Sequence, residues 1–320
     1  MPTPEEAHER LAEIPNLTVL RAAPLSRYTR FGIGGPADLY AETGSAESFI
    51  AAWRVAQQSG IPTVVIGDGT NLIVSDNGFR GIVLRFRAER LMSAGERIYA
   101  EAGAVLQDLV DFAIDHGLKG IETLAGIPGS VGAAVYGNAG AYGHAIAERV
   151  VSVRFFDGCT IRVFRNQECE FRYRESVFKQ HKDWIIFSTD LRLDPDDAAA
   201  LRATADAIVK VRNEKFPVTM KCAGSIFKNL LLPELPPEVA AQVPPRVIRE
   251  GKIPAAWFLE EVGAKGFQNG GIEVADYHAN LIYNTGSGTA AELREVIQEL
   301  KRRVRERFTI ELEEEVQYVG

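Results

Sequence analysis

The chain has few cysteines, and they are neither paired nor closely spaced. Cys159, Cys169 and Cys222 are its three cysteines, an odd number without a C-x-x-C pair. Disulfide frameworks use paired cysteines and zinc sites use closely spaced ones, so this composition argues against both. It favours a reducing compartment, and we expect a cytoplasmic protein with no metal site.

Long apolar runs and blocks of positive charge are also missing. No stretch approaches the roughly 20 apolar residues of a membrane-spanning helix. The first residues, with Glu5, Glu6 and Glu9, do not resemble an apolar signal region. The net charge is −7, and the basic run at 301–307 lies on a helical pattern balanced by glutamates. We therefore expect neither a membrane nor a nucleic acid as partner, although a few converging cations could still bind an anionic small molecule.

The G-x-G-x-x-G fingerprint of the Rossmann fold is absent where the chain comes nearest to it. A β-branched strand predicted at 63–66 leads into GDGTN at 67–71, but Leu72 stands where the third glycine belongs. A hairpin-like S-D-N-G follows at 75–78 instead of a helix. A dinucleotide bound here would therefore need a different fold.

Charge is absent from the most glycine-rich segment, 126–143. Its six glycines are spaced three residues apart in each half, at positions 126, 129, 132, 137, 140 and 143. Glycine loses the most backbone entropy on folding, so such a run needs a compensating gain. Amides with no side chain in the way can bind phosphate, and we favour a ligand here. The alternative is a tight crossing of packed backbones, with glycine and alanine selected for size.

A chain of 320 residues is long for one core, and two domains are expected. The string DPDD at 194–197 has the cap, proline and acidic residues of a helix start, so we place the boundary there, giving domains 28–194 and 195–320. Later features include the capping box Thr289-x-x-Glu292, a long helix and a final strand predicted over 309–318. The predicted fold class is α+β.

Five separated strings together resemble one family, and two shorter ones also fit. They are FGIGGPA at 31–37, GDGTNL at 67–72, AGIPGSVG and GNAGAYG within 125–143, YRESVFK at 173–179, AGSIFKN at 223–229, HAN at 278–280 and LEEEV at 312–316. Their order, from about residue 28 to the C-terminus, is similar to that of the UDP-N-acetylenolpyruvoylglucosamine reductase (MurB) family of peptidoglycan precursor synthesis. Little room remains between Lys179 and Trp184 for the tyrosine-bearing loop of some members, so the chain resembles the shorter subtype.

The resemblance implies a fold and an activity. The first half would be an FAD-binding domain of the PCMH or vanillyl-alcohol-oxidase type, and the second an α/β domain that binds a UDP-sugar. The enzyme would be a UDP-N-acetylmuramate dehydrogenase in which NADPH reduces non-covalently bound FAD, which then reduces the enolpyruvyl UDP-sugar. Two alternatives stay open: another flavin-dependent oxidoreductase of the same fold, and a non-catalytic flavin- or nucleotide-binding protein.

The resemblance also implies three catalytic residues. Arg174 matches an arginine that holds the substrate carboxylate, and Ser225 matches a serine that protonates an enolate carbon. Glu315 matches a glutamate near the end of the family's L-E-P-E-V string, although Glu314 stands where proline is usual. From the residues alone, Arg174 would be a surface ion pair, Ser225 would stabilise its own turn, and Glu315 would lie on a solvated acidic strand.

Binding residues are implied in the same way. Backbone contacts to the FAD diphosphate and ribityl chain are expected from Gly67, Asp68, Gly69, Thr70, Asn71, Leu72, Pro128, Gly129, Ser130, Val131 and Gly132. Candidates nearer the isoalloxazine or the adenine linkage are Asn138, Ala139, Gly140 and Gly143. The family positions that contact the UDP-sugar correspond to Lys215, Lys228 and Asn229. Lysine is suited to binding a diphosphate because its ammonium is a point charge. For Lys215 the alternative is a helix-terminal charge.

Overall fold

The structure, a computed structural model, describes residues 3–320, which divide into two compact units. The first unit contains 3–23, Ala37–Gly69 and Arg80–Glu214, and the second contains Pro24–Pro36, Thr70–Phe79 and Lys215–Gly320. This division differs from the single boundary expected at 194/195. The helix Ala198–Lys215, apart from its last residue, goes with the first unit because Leu201 and Ala205 are buried in that unit's core.

Some of the helices begin at a residue whose side chain caps the first turn. Within residues 3–320, α1 to α9 in chain order are Pro4–Ala12, Ala46–Ser59, Leu106–Asp115, Val131–Tyr136, Val177–Gln180, Ala198–Lys215, Pro237–Ala240, Ala255–Glu261 and Ala290–Phe308. The predicted capping box of α9 is confirmed: Glu292 N–H donates to Thr289 Oγ1 at 3.1 Å, and Thr289 N–H donates to Glu292 Oε2 at 2.9 Å. The predicted helix start at 194 is wrong, because Asp197 accepts the Ala200 N–H at 2.7 Å and α6 begins after it.

The strands are short and form several small sheets. In chain order, β1 to β21 are Thr18–Pro24, Pro36–Thr43, Thr63–Ile66, Leu72–Val74, Phe79–Phe86, Leu91–Ala94, Arg97–Glu101, Leu118–Lys119, Gly140–Ala141, His144–Ala145, Val150–Phe156, Ile161–Arg165, Ile185–Arg192, Asp194–Pro195, Lys221–Ser225, Leu230–Leu231, Lys252–Ile253, Gln268–Asn269, Ile272–Val274, Leu281–Asn284 and Gln317–Val319. The mixture of helices and short sheets agrees with the predicted α+β class.

The first unit is built on two larger sheets. One has the strand order β1-β2-β5-β3, with β3 parallel to β5, and the other has the order β12-β11-β13-β7-β6. Buried residues of α1 and α2, among them Leu11 and Phe49, share a core with the first sheet. Buried residues of α3 and α4, among them Leu109 and Val131, share a core with the second. The turns that end these strands and begin these helices are the segments expected to bind the cofactor.

The second unit contains a four-stranded sheet of order β15-β20-β19-β18. Its core includes buried residues of α8 and α9, such as Phe258 and Leu293. The long final strand expected over 309–318 is wrong: only Gln317–Val319 is a strand, and it pairs in parallel with Leu72–Val74. The residues before it leave strand geometry because they bond to the segment after β15, with an isolated bridge between Phe227 and Glu314.

Among residues 3–320, none of the helices combines the length and the apolar character that crossing a membrane requires. In the same part of the chain, no group of three or more His, Cys, Asp or Glu side chains is arranged to hold a metal ion.

Candidate active site

The first glycine turn follows β3 directly. Gly69 has a φ of +65°, and the Asp68 carboxylate accepts a hydrogen bond from the Arg85 guanidinium on β5. Both side chains are largely buried, at 23% and 15% exposure. Within residues 3–320, the backbone N–H groups of Asp68 and Gly69 have no hydrogen-bond partner in the protein. The turn therefore offers amide donors and carries a carboxylate that is neutralised by its neighbour.

Arg85 is itself fixed by a second pair of side chains. The Tyr40 hydroxyl donates to Glu42 Oε2 at 2.5 Å, and Glu42 Oε2 lies 4.0 Å from the Arg85 guanidinium. Burial, together with the hydrogen bond to Glu42, raises the pKa of Tyr40 above its usual value. Tyr40 therefore stays protonated and remains a donor, and the Arg85 guanidinium is held among Asp68, Glu42 and Tyr40.

The second glycine segment, 126–143, is not a loop throughout, because α4 lies inside it. Ser130 caps α4, its Oγ accepting the Ala133 N–H at 3.3 Å. Val131 N–H donates to Ala104 O and Gly132 N–H donates to Ala102 O, both at 2.8 Å. These two amides are committed to the protein, and Pro128 has no N–H, so amide contacts from 128–132 to a diphosphate would come from Gly129 and Ser130.

The two glycine segments meet within the first unit. A Cβ placed on Gly67 would lie 3.3 Å from Ser130 Oγ and 3.7 Å from the Ala133 Cβ. Gly129 next to them has a φ of +119°, a conformation that favours glycine. Unpartnered amides, backbone without side chains and a neutralised carboxylate together fit a ligand that carries a pyrophosphate.

The third predicted segment, 138–143, holds a neighbouring turn. Asn138 is 6% exposed, and its Nδ2 donates to Arg172 O at 2.8 Å. Ala139 O accepts the Ile146 N–H at 2.9 Å, which anchors the small hairpin of β9 and β10. Gly140 O accepts a hydrogen bond from the Arg174 guanidinium at 3.0 Å, and Gly143 is exposed at the hairpin turn with a φ of +84°.

Arg174 stands in a strained turn. Its φ of +58° is left-handed, a conformation that costs a residue other than glycine roughly 1–2 kcal/mol. Arg172 and Glu175 close the turn by bonding each other's N–H and carbonyl groups at 3.0 and 3.1 Å. Lys179 Nζ donates to Arg174 O at 3.0 Å and to Glu175 Oε1 at 2.8 Å. The strain is sustained by these contacts, as is common at functional positions.

In the second unit, Ser225 and Glu315 lie on neighbouring segments. Ser225 is the last residue of β15 and is half-buried. Glu315 N–H donates at 2.7 Å to the carbonyl of Ile226, the residue that follows Ser225. The side chain of Glu314 points to a different place, because it bonds Lys301 Nζ at 2.8 Å and the Tyr318 hydroxyl.

The end of the first glycine turn belongs to the second unit and also contacts Glu315. Asn71 Nδ2 donates to Glu315 O at 2.7 Å, and Asn71 O accepts the Gln317 N–H at 3.0 Å. Leu72 begins β4 and is paired with Gln317, whereas Thr70 is half-buried at the start of this piece. The Asn71 side chain is thus committed to the backbone of the predicted catalytic glutamate.

The predicted UDP-sugar residues of the second unit lie in different settings. Lys228 is 7% exposed and its ammonium pairs with Glu313. Asn229 Oδ1 accepts the N–H of Ala255 at the start of α8, at 3.3 Å. Lys215 ends α6, and its carbonyl accepts the Tyr277 hydroxyl at 3.0 Å. A diphosphate at Lys228 would therefore share the ammonium with a carboxylate.

Comparison with known proteins decides the family. The "UDP-N-acetylenolpyruvoylglucosamine reductase" of Solibacter usitatus is 68% identical over 311 residues, covering 97% of this chain and all of that protein. The chain belongs to the UDP-N-acetylenolpyruvoylglucosamine reductase family. The member from Rubrobacter xylanophilus is 37% identical over 93% of this chain and 94% of its own length.

Two domain descriptions and a solved structure agree with this family. A family model described as "FAD binding domain" matches 37–160, and one described as "UDP-N-acetylenolpyruvoylglucosamine reductase, C-terminal domain" matches 216–319. The crystal structure of UDP-N-acetylenolpyruvylglucosamine reductase (MurB) from Thermus caldophilus has a TM-score of 0.72 and 28% identity, covering 95% of this chain and 99% of that one. The predicted fold, an FAD-binding PCMH-type domain followed by a MurB C-terminal domain, is confirmed.

Three residues to which the sequence analysis gave no role form hydrogen bonds with candidate site residues or with the segment next to one. Arg85 binds Asp68, Lys179 binds the Arg174 carbonyl, and Asn280 binds the segment after Ser225. Lys179 and Asn280 lie within the strings YRESVFK and HAN, so the resemblance to the family marked both positions without indicating what they do. Arg85 lies on β5, outside all of these strings, so the sequence around it does not indicate its contact with Asp68.

Proposed function

We propose that the chain reduces UDP-N-acetylglucosamine enolpyruvate to UDP-N-acetylmuramate, using NADPH and bound FAD, in peptidoglycan precursor synthesis. The observation that carries the proposal is the 68% identity to a protein named UDP-N-acetylenolpyruvoylglucosamine reductase over nearly the whole chain. The placement of Ser225 beside the Glu315 segment supports it, since the reaction needs a proton donor next to a charged partner.

The first unit would hold the cofactor. The Asp68 and Gly69 amides, with backbone of Gly129 and Ser130, would bind the FAD pyrophosphate, and Arg85 would neutralise the Asp68 carboxylate that otherwise repels it. The chemistry that bound FAD supplies is hydride transfer from NADPH to one carbon of the enolpyruvyl double bond. Residues of the protein carry out the remaining tasks.

Those tasks are to stabilise charge and to move one proton. Hydride addition to one carbon sends an electron pair toward the substrate carboxylate, and Arg174 would bind that carboxylate through two hydrogen bonds. Ser225 would donate its hydroxyl proton to the adjacent carbon. A serine hydroxyl is a weak acid, but an enolate carbon is basic enough to accept its proton when aligned. Glu315 would bind the reacting end of the substrate beside Ser225.

The partners of the proposed reaction are small molecules. Lys228, Lys215 and Asn229 would contact the UDP-sugar, the lysines as point charges for its diphosphate.

We also propose a cytoplasmic location, supported by three cysteines that form no disulfide among residues 3–320. Burial raises the pKa of the Cys169 thiol to about 12, so that thiol stays protonated at neutral pH.

The absorbance spectrum of the purified protein tests the proposal. We expect a yellow protein that bleaches with NADPH under anaerobic conditions and recolours when enolpyruvyl-UDP-sugar is added. A flavin oxidoreductase of another specificity would bleach without recolouring, and a non-catalytic flavin-binding protein would do neither.

Two variants test the assigned roles within that experiment. Ser225→Ala should bleach at the normal rate and recolour far more slowly, because only proton delivery is lost. Arg174→Met should weaken recolouring by at least about tenfold, since a charge-assisted bidentate contact is removed. Normal recolouring of Ser225→Ala would refute the proton-donor role.

A further inference from the structure

We propose that Asn280 is a positioning residue that holds Ser225 and Glu315 in the alignment that proton transfer requires. The inference rests on the proposed function, in which these two residues act on the substrate. Asn280 would act through the segment 225–227 and not by touching the substrate.

The contacts of Asn280 are complete and buried. The residue is 2% exposed, and its side chain bonds both backbone groups of Phe227: Phe227 N–H donates to Oδ1 at 2.9 Å, and Nδ2 donates to Phe227 O at 2.8 Å. Its own carbonyl accepts the Ile226 N–H at 3.1 Å. Asn280 therefore binds both residues that follow Ser225.

The sheet explains why such a side chain is needed. β15 pairs with β20 only as far as Ser225 opposite Leu281, after an irregularity between Cys222 and Ser225. Beyond that point, the Phe227 backbone would have no strand partner on this side. A carboxamide has one donor end and one acceptor end, so it substitutes for a strand backbone at a buried position. Leaving these groups unpaired would cost their desolvation free energy.

The opposite edge of the same segment binds the glutamate. Ile226 O accepts the Glu315 N–H at 2.7 Å, and the Glu315 carbonyl accepts Asn71 Nδ2 at 2.7 Å. The Ile226 backbone is therefore held by Asn280 at its N–H and by Glu315 at its carbonyl. A shift of Ile226 would displace Ser225, its neighbour in the chain, and Glu315, its hydrogen-bond partner.

One titratable group lies directly beside Asn280. The Asn280 N–H donates to His278 Nδ1 at 3.1 Å, and burial, with the nearby Lys215 charge, lowers the pKa of His278 to about 4. Glu260 and Lys265 are the other charged groups that act on it. His278 is therefore neutral at the pH of an ordinary assay and keeps its acceptor nitrogen toward Asn280.

The substitution Asn280→Asp tests the positioning role through its pH dependence. A protonated carboxyl has a donor and an acceptor like the amide, whereas the ionised form has acceptors only and would face the Phe227 carbonyl. In the FAD-loaded enzyme at neutral pH, we expect substrate-driven recolouring to slow by about 10- to 100-fold, since small misplacements have effects of that size. Recolouring should recover as the pH falls and the buried carboxyl protonates, and bleaching by NADPH should stay normal.

Asn284→Asp is the matched control. Asn284 is also buried, at 5% exposure, and lies on β20 of the same sheet. Its Nδ2 donates to Phe31 O at 2.9 Å, and its Oδ1 accepts Gly286 N–H and Gly288 N–H at 2.8 Å, away from Ser225 and Glu315. It should lower the melting temperature without slowing recolouring selectively or adding the pH-dependent recovery.

The outcomes separate the inference from the proposed function. If Asn280→Asp recolours at the wild-type rate at neutral pH while Ser225→Ala is slow, the inference is wrong and the proposed function stands. If Ser225→Ala is also normal, the proton-donor role of Ser225 is wrong and the inference falls with it, whereas the proposed function itself fails only if the substrate does not recolour the wild-type protein. If Asn280→Asp does not fold, Asn280→Ser replaces it, because the serine hydroxyl and a water can still bond to the Phe227 backbone. If bleaching and recolouring are slowed equally in that variant, Asn280 has only a structural role.

Discussion

The two glycine segments of the first unit use glycine for opposite reasons. In 126–143, the Val131 and Gly132 amides bond to Ala104 and Ala102 carbonyls, and a Cβ on Gly132 would lie 2.8 Å from the Ala102 Cβ. In 67–69, the Asp68 and Gly69 amides have no partner within residues 3–320, and a Cβ on Gly67 would approach only side-chain atoms, at 3.3 and 3.7 Å. The longer segment is partly a backbone crossing, and the shorter one offers donors.

The comparison teaches that glycine content alone does not locate a phosphate site. A glycine needed for close approach leaves its amide bonded to the backbone it approaches, whereas a glycine needed for a ligand leaves the amide unpaired. The alternative of tight packing therefore applies to Gly132, and ligand binding remains the proposal for Gly67 and Gly69. Substitutions that add one methyl group separate the two uses.

The largest effect is expected at Gly132. Its added Cβ would lie 2.8 Å from the Ala102 Cβ and 3.0 Å from the Ala102 carbonyl oxygen, so Gly132→Ala must displace backbone. Overpacking of this kind costs about 1–3 kcal/mol in free energy of unfolding, measured by urea denaturation of the FAD-free protein. Gly137→Ala, whose Cβ would lie 3.5 Å from Ala133 O, is the control and should change stability by less than about 1 kcal/mol.

The sequence predicted elements where local signals and packing agree. The strand at 63–66 and the capping box of α9 follow from β-branching and from a cap residue with its partner three positions on. The helix start at 194 was wrong because Asp194 and Pro195 pair with Leu118 and Lys119, a contact between distant segments. Local capping chemistry does not report such pairing.

The site shows the same limit. Each catalytic string marked a position, but the groups that hold it are distant in sequence: Asn280 is 53 residues from Phe227, and Asn71 is 244 residues from Glu315. The final strand over 309–318 was also wrong for this reason, since residues 313–315 bond to 226–228 in place of a regular ladder. Periodicity indicates which face is apolar and not which segment pairs with it.

The next effect concerns the ligand and not the fold. Arg85→Met would leave the Asp68 carboxylate unneutralised beside the proposed pyrophosphate, so FAD affinity should fall by about tenfold, roughly 1.4 kcal/mol. Fluorescence titration of FAD into the FAD-free protein measures this. The double variant Arg85→Met with Asp68→Asn should regain part of the affinity, because the repelling charge is gone.

Arg80→Met is the matched control for Arg85. Arg80 lies on the same strand and pairs with Asp38 at 2.8 Å, but its side chain is 78% exposed, so screening makes that pair weak. It should leave FAD affinity unchanged. Equal affinities of wild type and Arg85→Met would show that the 67–69 turn does not bind the pyrophosphate in the proposed way.

A smaller effect is expected at Ser130, where the two segments meet. Ser130→Ala removes the Oγ that accepts the Ala133 N–H, and loss of a helix cap costs typically about 1 kcal/mol. Thermal unfolding of the FAD-free protein measures it. Ser130→Asp keeps an acceptor at the cap, so it should restore stability. It should also weaken FAD binding, because its charge repels the pyrophosphate. An unchanged FAD affinity of Ser130→Asp would show that the pyrophosphate does not lie at this cap.

The smallest effect on stability is expected at Gly67. Gly67 is not among the residues with positive φ, and its added Cβ would approach only Ser130 Oγ, at 3.3 Å, and the Ala133 Cβ, at 3.7 Å. Gly67→Ala should therefore change the free energy of unfolding of the FAD-free protein by less than about 1 kcal/mol. Its FAD affinity should nevertheless fall, because the methyl group stands where the ligand would approach the turn. If Gly67→Ala instead unfolds as readily as Gly132→Ala and binds FAD normally, both segments are backbone crossings, and the contrast between them disappears.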